Sequence, residues 1–340
     1  METPNPPQVC RSVATLFEWM QGPIRFALLT WGLEVDVFTR CAEPRKCQAL
    51  ARELNLDAGQ LGYLLNAMTS IGLLTRSGGK YVTAPAFQPF LDRNSQTSLV
   101  PTLQSLASLR HDGLERLHDY AVRAPERPDA PSLFGAVYWE RATASLKAFH
   151  RACAVDTMLD TLESTPGWRE ATTLLDLGAG SEILARRIVE RAPEKRVVVF
   201  DLEPVARILS GCCAGESRIE VVAGDYNDFL PDGPFDIVWA SMSLYFIRGG
   251  LDRFFERLIA TVRPGGCFVS FHEGLSQERT QPEWHVIGRL VPTLKGKDVS
   301  FDHGEIRSAA VRAGFDCAIS RPVATEFGPF DLNVLRRPAQ

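Results

Sequence analysis

The residues best suited to chemistry lie mid-chain, where Leu-Leu-Asp-Leu-Gly-Ala-Gly-Ser-Glu occupies positions 174–182. An apolar run containing Asp176 enters a tight turn at Gly178 and Gly180, and apolar residues at helical spacing follow. This strand–turn–helix order is typical of the nucleotide-binding start of a doubly wound α/β sheet. Asp201 ends the next predicted strand, at 196–200, where a carboxylate can accept hydrogen bonds from both ribose hydroxyls. The pattern therefore predicts a ligand that contains a ribose.

Glu182 indicates which ribose compound binds. Dinucleotide-binding proteins have a third small residue at this position and place a pyrophosphate on the helix N-terminus. A carboxylate in the first helical turn is favourable to the helix dipole but repels a pyrophosphate. S-adenosylmethionine (SAM) has no phosphate and carries a sulfonium and an ammonium group. Glu182 therefore favours SAM over NAD.

Length, charge and cysteine usage set wider limits. A chain of 340 residues is expected to form two domains, and its net charge of −4 includes no basic run typical of nucleic-acid or membrane binding. The 8 cysteines form no CxxC pair or Cys/His cluster, so we expect reduced thiols and no metal. Residues 1–8 are proline-rich and polar, without the pattern of a signal peptide. These features predict a soluble, cytoplasmic protein.

The N-terminal region, residues 1–98, has the pattern of a winged helix. Two helices are expected within 11–40, then a helix at 48–54 and a second one capped by Asp57, before a hairpin of 73–76 and 80–83. The helix that would enter DNA contains no Lys or Arg, although phosphate and base contacts depend on them. We therefore predict a dimerisation module of a homodimer and no nucleic-acid partner.

The remaining chain is predicted as a helical connector, residues 99–165, followed by an α/β domain, residues 166–340. The connector contains helical patterns at 102–122 and 138–162, separated by a proline-containing loop at 124–132. In the α/β domain, further strands are expected at 218–222, 235–240 and 267–271, with a closing antiparallel pair at 316–322 and 331–336.

These motifs resemble those of the two-domain, dimeric, SAM-dependent small-molecule methyltransferases of the plant and bacterial O-methyltransferase superfamily, over nearly the whole chain. Asp176-x-Gly178-x-Gly180 matches the cofactor loop of that family, and Asp201-Leu202-x-Pro204 resembles its ribose-binding strand end. The resemblance implies a Rossmann-like class I methyltransferase domain behind a winged-helix dimerisation domain, with SAM as cofactor and S-adenosylhomocysteine (SAH) as product. It assigns the cofactor to Asp176, Gly178, Gly180, Asp201, Leu202, Asp225, Tyr226 and Ser241.

The sequence departs from that family at the expected catalytic base. O-methylating members have a histidine where this chain has Tyr245, in the run Leu244-Tyr245-Phe246-Ile247. A tyrosine, with an ordinary pKa near 10, is a poor base at neutral pH. A hydroxyl acceptor must lose a proton, whereas a thioether or tertiary amine has none to lose. His272, beside Glu273, is either a replacement base or a strand-end histidine held by hydrogen bonds, and Tyr245, His272 and Glu273 are the predicted catalytic residues.

Cationic and aromatic residues are expected to bind the acceptor, namely Tyr138, Trp139, Arg141, His150, Trp284 and His285. The cations suit a small carboxylate, and the aromatic rings suit a sulfonium product. This combination resembles the bacterial S-methyltransferases of dimethylsulfoniopropionate synthesis, which methylate 4-methylthio-2-hydroxybutyrate. The alternatives are an O- or C-methyltransferase of natural-product or pigment biosynthesis that uses His272 as base, and a non-catalytic SAM-binding regulatory protein.

Overall fold

The computed structural model describes residues 11–111, 113–122, 136–296 and 298–339. The chain divides into two compact units, Met1–Gln104 and Ser105–Gln340. Most of the predicted connector, 99–165, thus lies in the second unit, whereas its proline-containing loop at 124–132 and the N-terminal segment 1–8 lie outside the described residues. Within the described ranges, none of the helices is both long and apolar enough to cross a membrane.

The first unit is mostly helical and carries a small antiparallel sheet of order β1-β3-β2. The Asp57 side chain accepts a hydrogen bond from Gln60 N at 2.8 Å, which confirms the predicted cap. The helix pair and hairpin lie at the predicted positions. The elements are α1 (Arg11–Glu34), α2 (Val37–Arg40), β1 (Arg45–Lys46), α3 (Cys47–Leu54), α4 (Ala58–Ser70), β2 (Leu74–Ser77), β3 (Lys80–Thr83), α5 (Gln88–Leu91) and α6 (Val100–His111), which crosses into the second unit.

Helix α1 differs from the prediction of two helices within residues 11–40. It continues through Pro23, because a proline inside a helix removes one hydrogen bond without always ending it. Its first half leaves large apolar side chains exposed, with Phe17 at 67% and Met20 at 74% of their full accessibility. The core of this unit begins only at Leu28. An apolar stripe of this size on one chain is typical of an interaction surface.

The second unit is built on a seven-stranded sheet of order β11-β12-β8-β7-β4-β5-β6. Strands β4 to β8 in this sheet are parallel, and β12 is antiparallel to both β8 and β11. The strands are β4 (Thr173–Leu177), β5 (Arg196–Asp201), β6 (Ile219–Ala223), β7 (Phe235–Ser241), β8 (Val262–His272), β11 (Asp316–Thr325) and β12 (Gly328–Arg336), with a separate parallel pair of β9 (Gly274–Leu275) and β10 (Phe301–Asp302). This is a Rossmann-like arrangement, as the sequence predicted.

Apolar clusters cover both faces of this sheet. Alternate β4 residues point to opposite sides, so Leu174 belongs to one cluster and Leu175 to the other. The helices are α7 (Leu117–Val122), α8 (Ala136–Phe149), α9 (Val155–Glu163), α10 (Ile183–Arg191), α11 (Glu203–Cys213), α12 (Leu251–Thr261), α13 (Glu283–Leu294) and α14 (Glu305–Arg312). The chain runs from β4 outward through β5 and β6, then returns to β7 on the other side of β4. Ligands of such sheets bind at this reversal, beside the carboxyl ends of the strands.

Two details of this unit were not predicted. The long helix expected at 138–162 is interrupted by a π-helical turn at His150–Ala154, a feature that is frequent at functional sites. The strand expected at 267–271 begins earlier, and the Arg-Pro-Gly-Gly segment 263–266 lies inside β8, because β8 pairs with β7 from Val262 onward and shifts register after it.

Candidate active site

The glycine turn after β4 has no room for side chains. Gly178 and Gly180 have φ angles of +71° and +65°. A Cβ on Gly178 would lie 2.6 Å from the Ser243 Cβ, and one on Gly180 would lie 2.6 Å from the Leu146 Cδ1. The turn is therefore packed between the segment that follows β7 and helix α8, and glycine is needed for both its conformation and its packing.

Two acidic side chains lie at this turn. The Asp201 carboxylate accepts hydrogen bonds from Gly180 N at 2.8 Å and from Leu202 N at 2.7 Å. Burial raises the pKa of Asp201 to about 6, although these two hydrogen bonds lower it. Asp176 is 5% exposed, and its pKa rises to about 8 through burial and the charge of Asp201. Buried carboxyl groups so close together favour a cationic ligand.

The loops after β6 and β7 are tied to each other. The Tyr226 hydroxyl donates to Ser243 O at 3.0 Å and accepts from Phe246 N at 3.2 Å. Tyr226 is 9% exposed, and burial raises its pKa. The Asp225 carboxylate forms an ion pair with Arg248 at 3.1 Å. These contacts fix the loops that carry Asp225 and Tyr226, which the resemblance assigned to the cofactor.

Several buried oxygen atoms around the turn have no hydrogen-bond partner among the described residues: Glu182 Oε2, Ser241 Oγ, Ser243 Oγ and Thr143 Oγ1. Ser241 ends β7, Ser243 contacts the turn, and Glu182 follows it directly. Thr143 lies one helical turn before Leu146, which contacts Gly180. Buried polar atoms nearly always have partners in native proteins. A polar ligand at the glycine turn would supply them.

Comparison with known proteins agrees with this geometry. Residues 174–266, which include the glycine turn, Asp201 and Asp225, match the family described as a methyltransferase domain. The protein is a SAM-dependent methyltransferase. Acetylserotonin O-methyltransferase of Mus musculus is 26% identical over 336 residues, which is 90% of this chain and 84% of that protein.

The fold of this methyltransferase is shared by solved structures along almost the whole chain. Human N-acetylserotonin methyltransferase, solved in complex with SAM, superposes with a TM-score of 0.78 at 19% identity, covering 98% of this chain and 99% of the other. An O-methyltransferase family protein from Burkholderia thailandensis gives a TM-score of 0.79 at 18% identity, with the same coverage of 98% and 99%. The cofactor is SAM, and the acidic glycine turn with its partnerless oxygens fits that cationic nucleoside.

The predicted catalytic residue Tyr245 belongs to a closed polar network. It follows β7 in a 3₁₀ turn, Leu244–Phe246, and its hydroxyl donates to the Glu273 carboxylate. Glu273 also forms an ion pair with Arg289 of α13, whose Cζ lies 4.5 Å from the centroid of the Tyr245 ring. Burial raises the pKa of Tyr245, and the nearby Arg289 only partly offsets this rise. Tyr245 thus stays protonated at neutral pH.

His272 is enclosed and engaged through both ring nitrogens. Its Nε2 accepts hydrogen bonds from Ser243 N and Leu244 N at 3.2 Å each, so Nδ1 carries the proton and donates to Ser270 Oγ at 3.1 Å. His272 is 1% exposed, and burial together with the charge of Arg289 lowers its pKa to about 3. The neutral imidazole therefore holds the loop after β7 in place.

The residues predicted to bind the acceptor have different surroundings. His150 Nδ1 lies 2.7 Å from Ser181 Oγ in the glycine turn, and burial lowers its pKa to about 4, so His150 is neutral. Arg141 is exposed on α8, where Tyr138 and Trp139 pack edge to face with centroids 5.1 Å apart. His285 donates to Pro329 O at 3.1 Å, and the neighbouring Trp284 packs near Phe327 of the β11–β12 turn.

A small apolar cleft, with a cavity of only about 10 Å³, lies beside the carboxyl ends of β7 and β8. Met242 directly after β7 and Phe271 of β8 contribute to it, together with Phe149 at the end of α8 and Phe327 and Phe330 of the β11–β12 hairpin. Glu326 also lines it. Trp284 and His285 contact this cleft only indirectly, through Phe327 and Phe330. The sequence analysis did not predict the cleft or the position of Arg289. Phe327 and Phe330, which flank Gly328-Pro329, were a signal for the cleft in the sequence.

Proposed function

We propose that this methyltransferase acts on a small molecule whose nucleophile has no proton to lose. The favoured acceptor is the thioether of a small carboxylate, such as 4-methylthio-2-hydroxybutyrate in dimethylsulfoniopropionate synthesis. When bound, SAM supplies an electrophilic methyl group on its sulfonium. The observation that carries the proposal is the closed network of Tyr245, Glu273 and Arg289 beside an engaged His272.

Each group of this network that could accept a proton is already occupied. The Tyr245 hydroxyl donates its proton to Glu273, and the charge of Glu273 is balanced by Arg289. The free lone pair of His272 accepts two backbone hydrogen bonds, so protonating it would break both. A hydroxyl acceptor would have to displace one of these contacts, whereas a thioether would not. Alignment of the two reactants then becomes the main contribution of these residues.

The apolar cleft supports a neutral nucleophile. Burying an anion among aromatic and methionine side chains is costly, whereas aromatic faces attract a cation. Methylation of a thioether or tertiary amine creates such a cation, and Glu326 at the cleft adds a negative charge. For the carboxylate end of the acceptor, Arg141 remains the proposed partner, because His150 is neutral and bonded to Ser181.

O-methylation of an aromatic hydroxyl is the second candidate. It is favoured by the likeness to mouse acetylserotonin O-methyltransferase over 90% of the chain. Among the predicted catalytic residues, Glu273 is then the proposed base, since both nitrogens of His272 are engaged. That reaction requires Glu273 to exchange its contact with Tyr245 or Arg289 for the acceptor hydroxyl.

Single-turnover methyl transfer from labelled SAM to thioether carboxylates, tertiary amines and phenols separates the two candidates. We expect transfer to a thioether at a rate nearly flat between about pH 6.5 and 9, since no acceptor proton is removed. Tyr245→Phe should cost about fivefold, the value of one hydrogen bond, against ~10²–10⁴-fold for loss of a general base. Transfer to phenols alone, at a rate that is lost in Glu273→Gln, would refute the proposal.

We further propose that the protein is a homodimer built on its N-terminal unit. The exposed apolar residues of α1, among them Phe17 and Met20, support this assembly, since obligate dimer interfaces are large and apolar. We propose that α3, α4 and the β2–β3 hairpin form a winged helix within this dimerisation module.

A further inference from the structure

We infer that Lys147 and Glu182 together recognise the amino-acid end of SAM, with Glu182 taking its ammonium group and Lys147 its carboxylate. The inference rests on SAM as the cofactor and is independent of which acceptor is methylated. It gives a role to the residue that replaces the usual small residue after the glycine turn.

Glu182 is a buried carboxylate, and only one of its two oxygen atoms has a partner among the described residues. It is 3% exposed and stands at the N-cap of α10, where its side chain makes no capping hydrogen bond. Its Oε1 pairs with Lys147 Nζ at 2.5 Å, whereas the buried Oε2 has no partner in the part of the chain that the structure describes. Leaving a buried charged oxygen unsatisfied is costly, so this oxygen marks the position of a missing donor.

Lys147 supplies the opposite charge at the same place. It follows Leu146, which contacts Gly180, and its ammonium lies between Glu182 and Cys212 of α11. Burial lowers the pKa of Lys147, but the contacts with Glu182 and, to a smaller extent, with Cys212 together raise it by more, and the group stays charged. Glu182 and Cys212 Sγ, at 3.5 Å, account for two of its three N–H groups. The third N–H is suited to a carboxylate.

A paired lysine and glutamate match the two charges of an α-amino acid. The ammonium group of SAM would donate a hydrogen bond to Glu182 Oε2, and the SAM carboxylate would accept one from Lys147 Nζ. Each charged group would then have a partner of opposite charge. A purely structural ion pair explains the Lys147 contact but not the partnerless Oε2. The same pair also tolerates loss of the methyl group, because SAH has the identical amino-acid end.

Calorimetric binding of three ligands tests the assignment. SAM and SAH carry the amino-acid end, whereas 5′-methylthioadenosine has the same nucleoside without it. Glu182→Gln and Lys147→Met should each weaken the affinity for SAM and SAH by at least about tenfold. The affinity for methylthioadenosine should stay within about twofold of the wild-type value. Lys147→Arg should retain more SAM affinity than Lys147→Met. Arg207→Met is the control, since Arg207 forms an exposed pair with Glu203 on α11 and should leave all three affinities unchanged.

Two results with the variants would overturn the inference. One is an equal loss of affinity for all three ligands in the folded variants, which would show that the ion pair only stabilises the glycine turn. The other is unchanged SAM affinity in both Glu182→Gln and Lys147→Met. Wild-type protein that binds methylthioadenosine but neither SAM nor SAH would also overturn it, and would contradict the cofactor itself. Circular dichroism melting of each variant establishes that it is folded.

Discussion

The charge of Asp176 should cost stability in a pH-dependent manner. The pKa of this carboxyl rises from 3.8 to about 8, because of burial and then the charge of Asp201. A folded-state pKa above the unfolded value means that the folded protein binds the proton more tightly. Stability therefore falls as pH rises from about 4, and the loss is complete above about pH 8. Asp176→Asn removes the charge and keeps the shape.

The magnitude follows from about 1.4 kcal/mol per pKa unit. At about pH 5 the penalty is only ~2 kcal/mol, whereas above about pH 8 it reaches ~6 kcal/mol. The stability of Asp176→Asn relative to wild type should thus increase by about 4 kcal/mol across this range. A unit of this size gains roughly 2–4 °C in melting temperature per kcal/mol, so the gain is about 10 °C. Comparing the two pH values cancels any effect of the amide on packing.

Scanning calorimetry of the ligand-free protein at about pH 5 and 8.5 measures this difference. Asp232→Asn, at an exposed aspartate of the same unit, is the control and should show no pH-dependent gain. SAM should stabilise wild type more than the Asp176→Asn variant at the higher pH, because its positive charge offsets the buried carboxylates. A melting difference between variant and wild type that is the same at both pH values would refute the reasoning.

Three further perturbations test the site and the assembly. Asp201→Ala should weaken SAM and SAH strongly by calorimetry, since each charge-assisted hydrogen bond is worth about 1.5–3 kcal/mol, and unchanged affinity would contradict the ribose assignment. Gly178→Ala should lower the melting temperature and abolish SAM binding, because its Cβ would lie 2.6 Å from the Ser243 Cβ, whereas Gly215→Ala has a positive φ but no atom within 4 Å and should keep SAM binding. Light scattering should give twice the chain mass, and a double variant with Phe17→Glu and Met20→Glu should give the single mass, whereas a monomeric wild type would contradict the dimer.

The cofactor side of the site was accessible to sequence reasoning because its signals are local. Strand ends, a glycine turn and an acidic residue after the next strand are close in sequence, and parallel strands bring their ends together automatically. The positions of β4 to β8 and the doubly wound α/β class followed from the alternation of strand and helix patterns. The assignments of individual residues to the cofactor, including Asp201, Asp225 and Tyr226, and the cytoplasmic location stay predictions.

The residues around the proposed acceptor site could not be predicted from the sequence in the same way. Arg289 lies on α13, whose apolar residues Trp284 and Ile287 face outward and whose interior holds Pro292, so the pattern did not indicate a helix. The contact between His150 and Ser181 joins residues 31 positions apart, and no spacing rule predicts it. The sequence analysis assigned His150 to substrate binding as a cation, whereas its burial in the folded protein keeps it neutral.

Replacement of the family's histidine by Tyr245 does not by itself decide the chemistry. With tyrosine alone, Glu273 would be a buried carboxylate able to accept a proton, and a hydroxyl acceptor would remain feasible. Arg289 changes this, because it neutralises Glu273 and covers the Tyr245 ring at the same time. Transfer to a neutral thioether then moves one positive charge from the acidic glycine turn toward the aromatic cleft. The carboxylates of Glu182 and Asp201 favour the cationic cofactor over SAH, whose sulfur is uncharged, so the same charges that favour SAM binding also favour release of SAH.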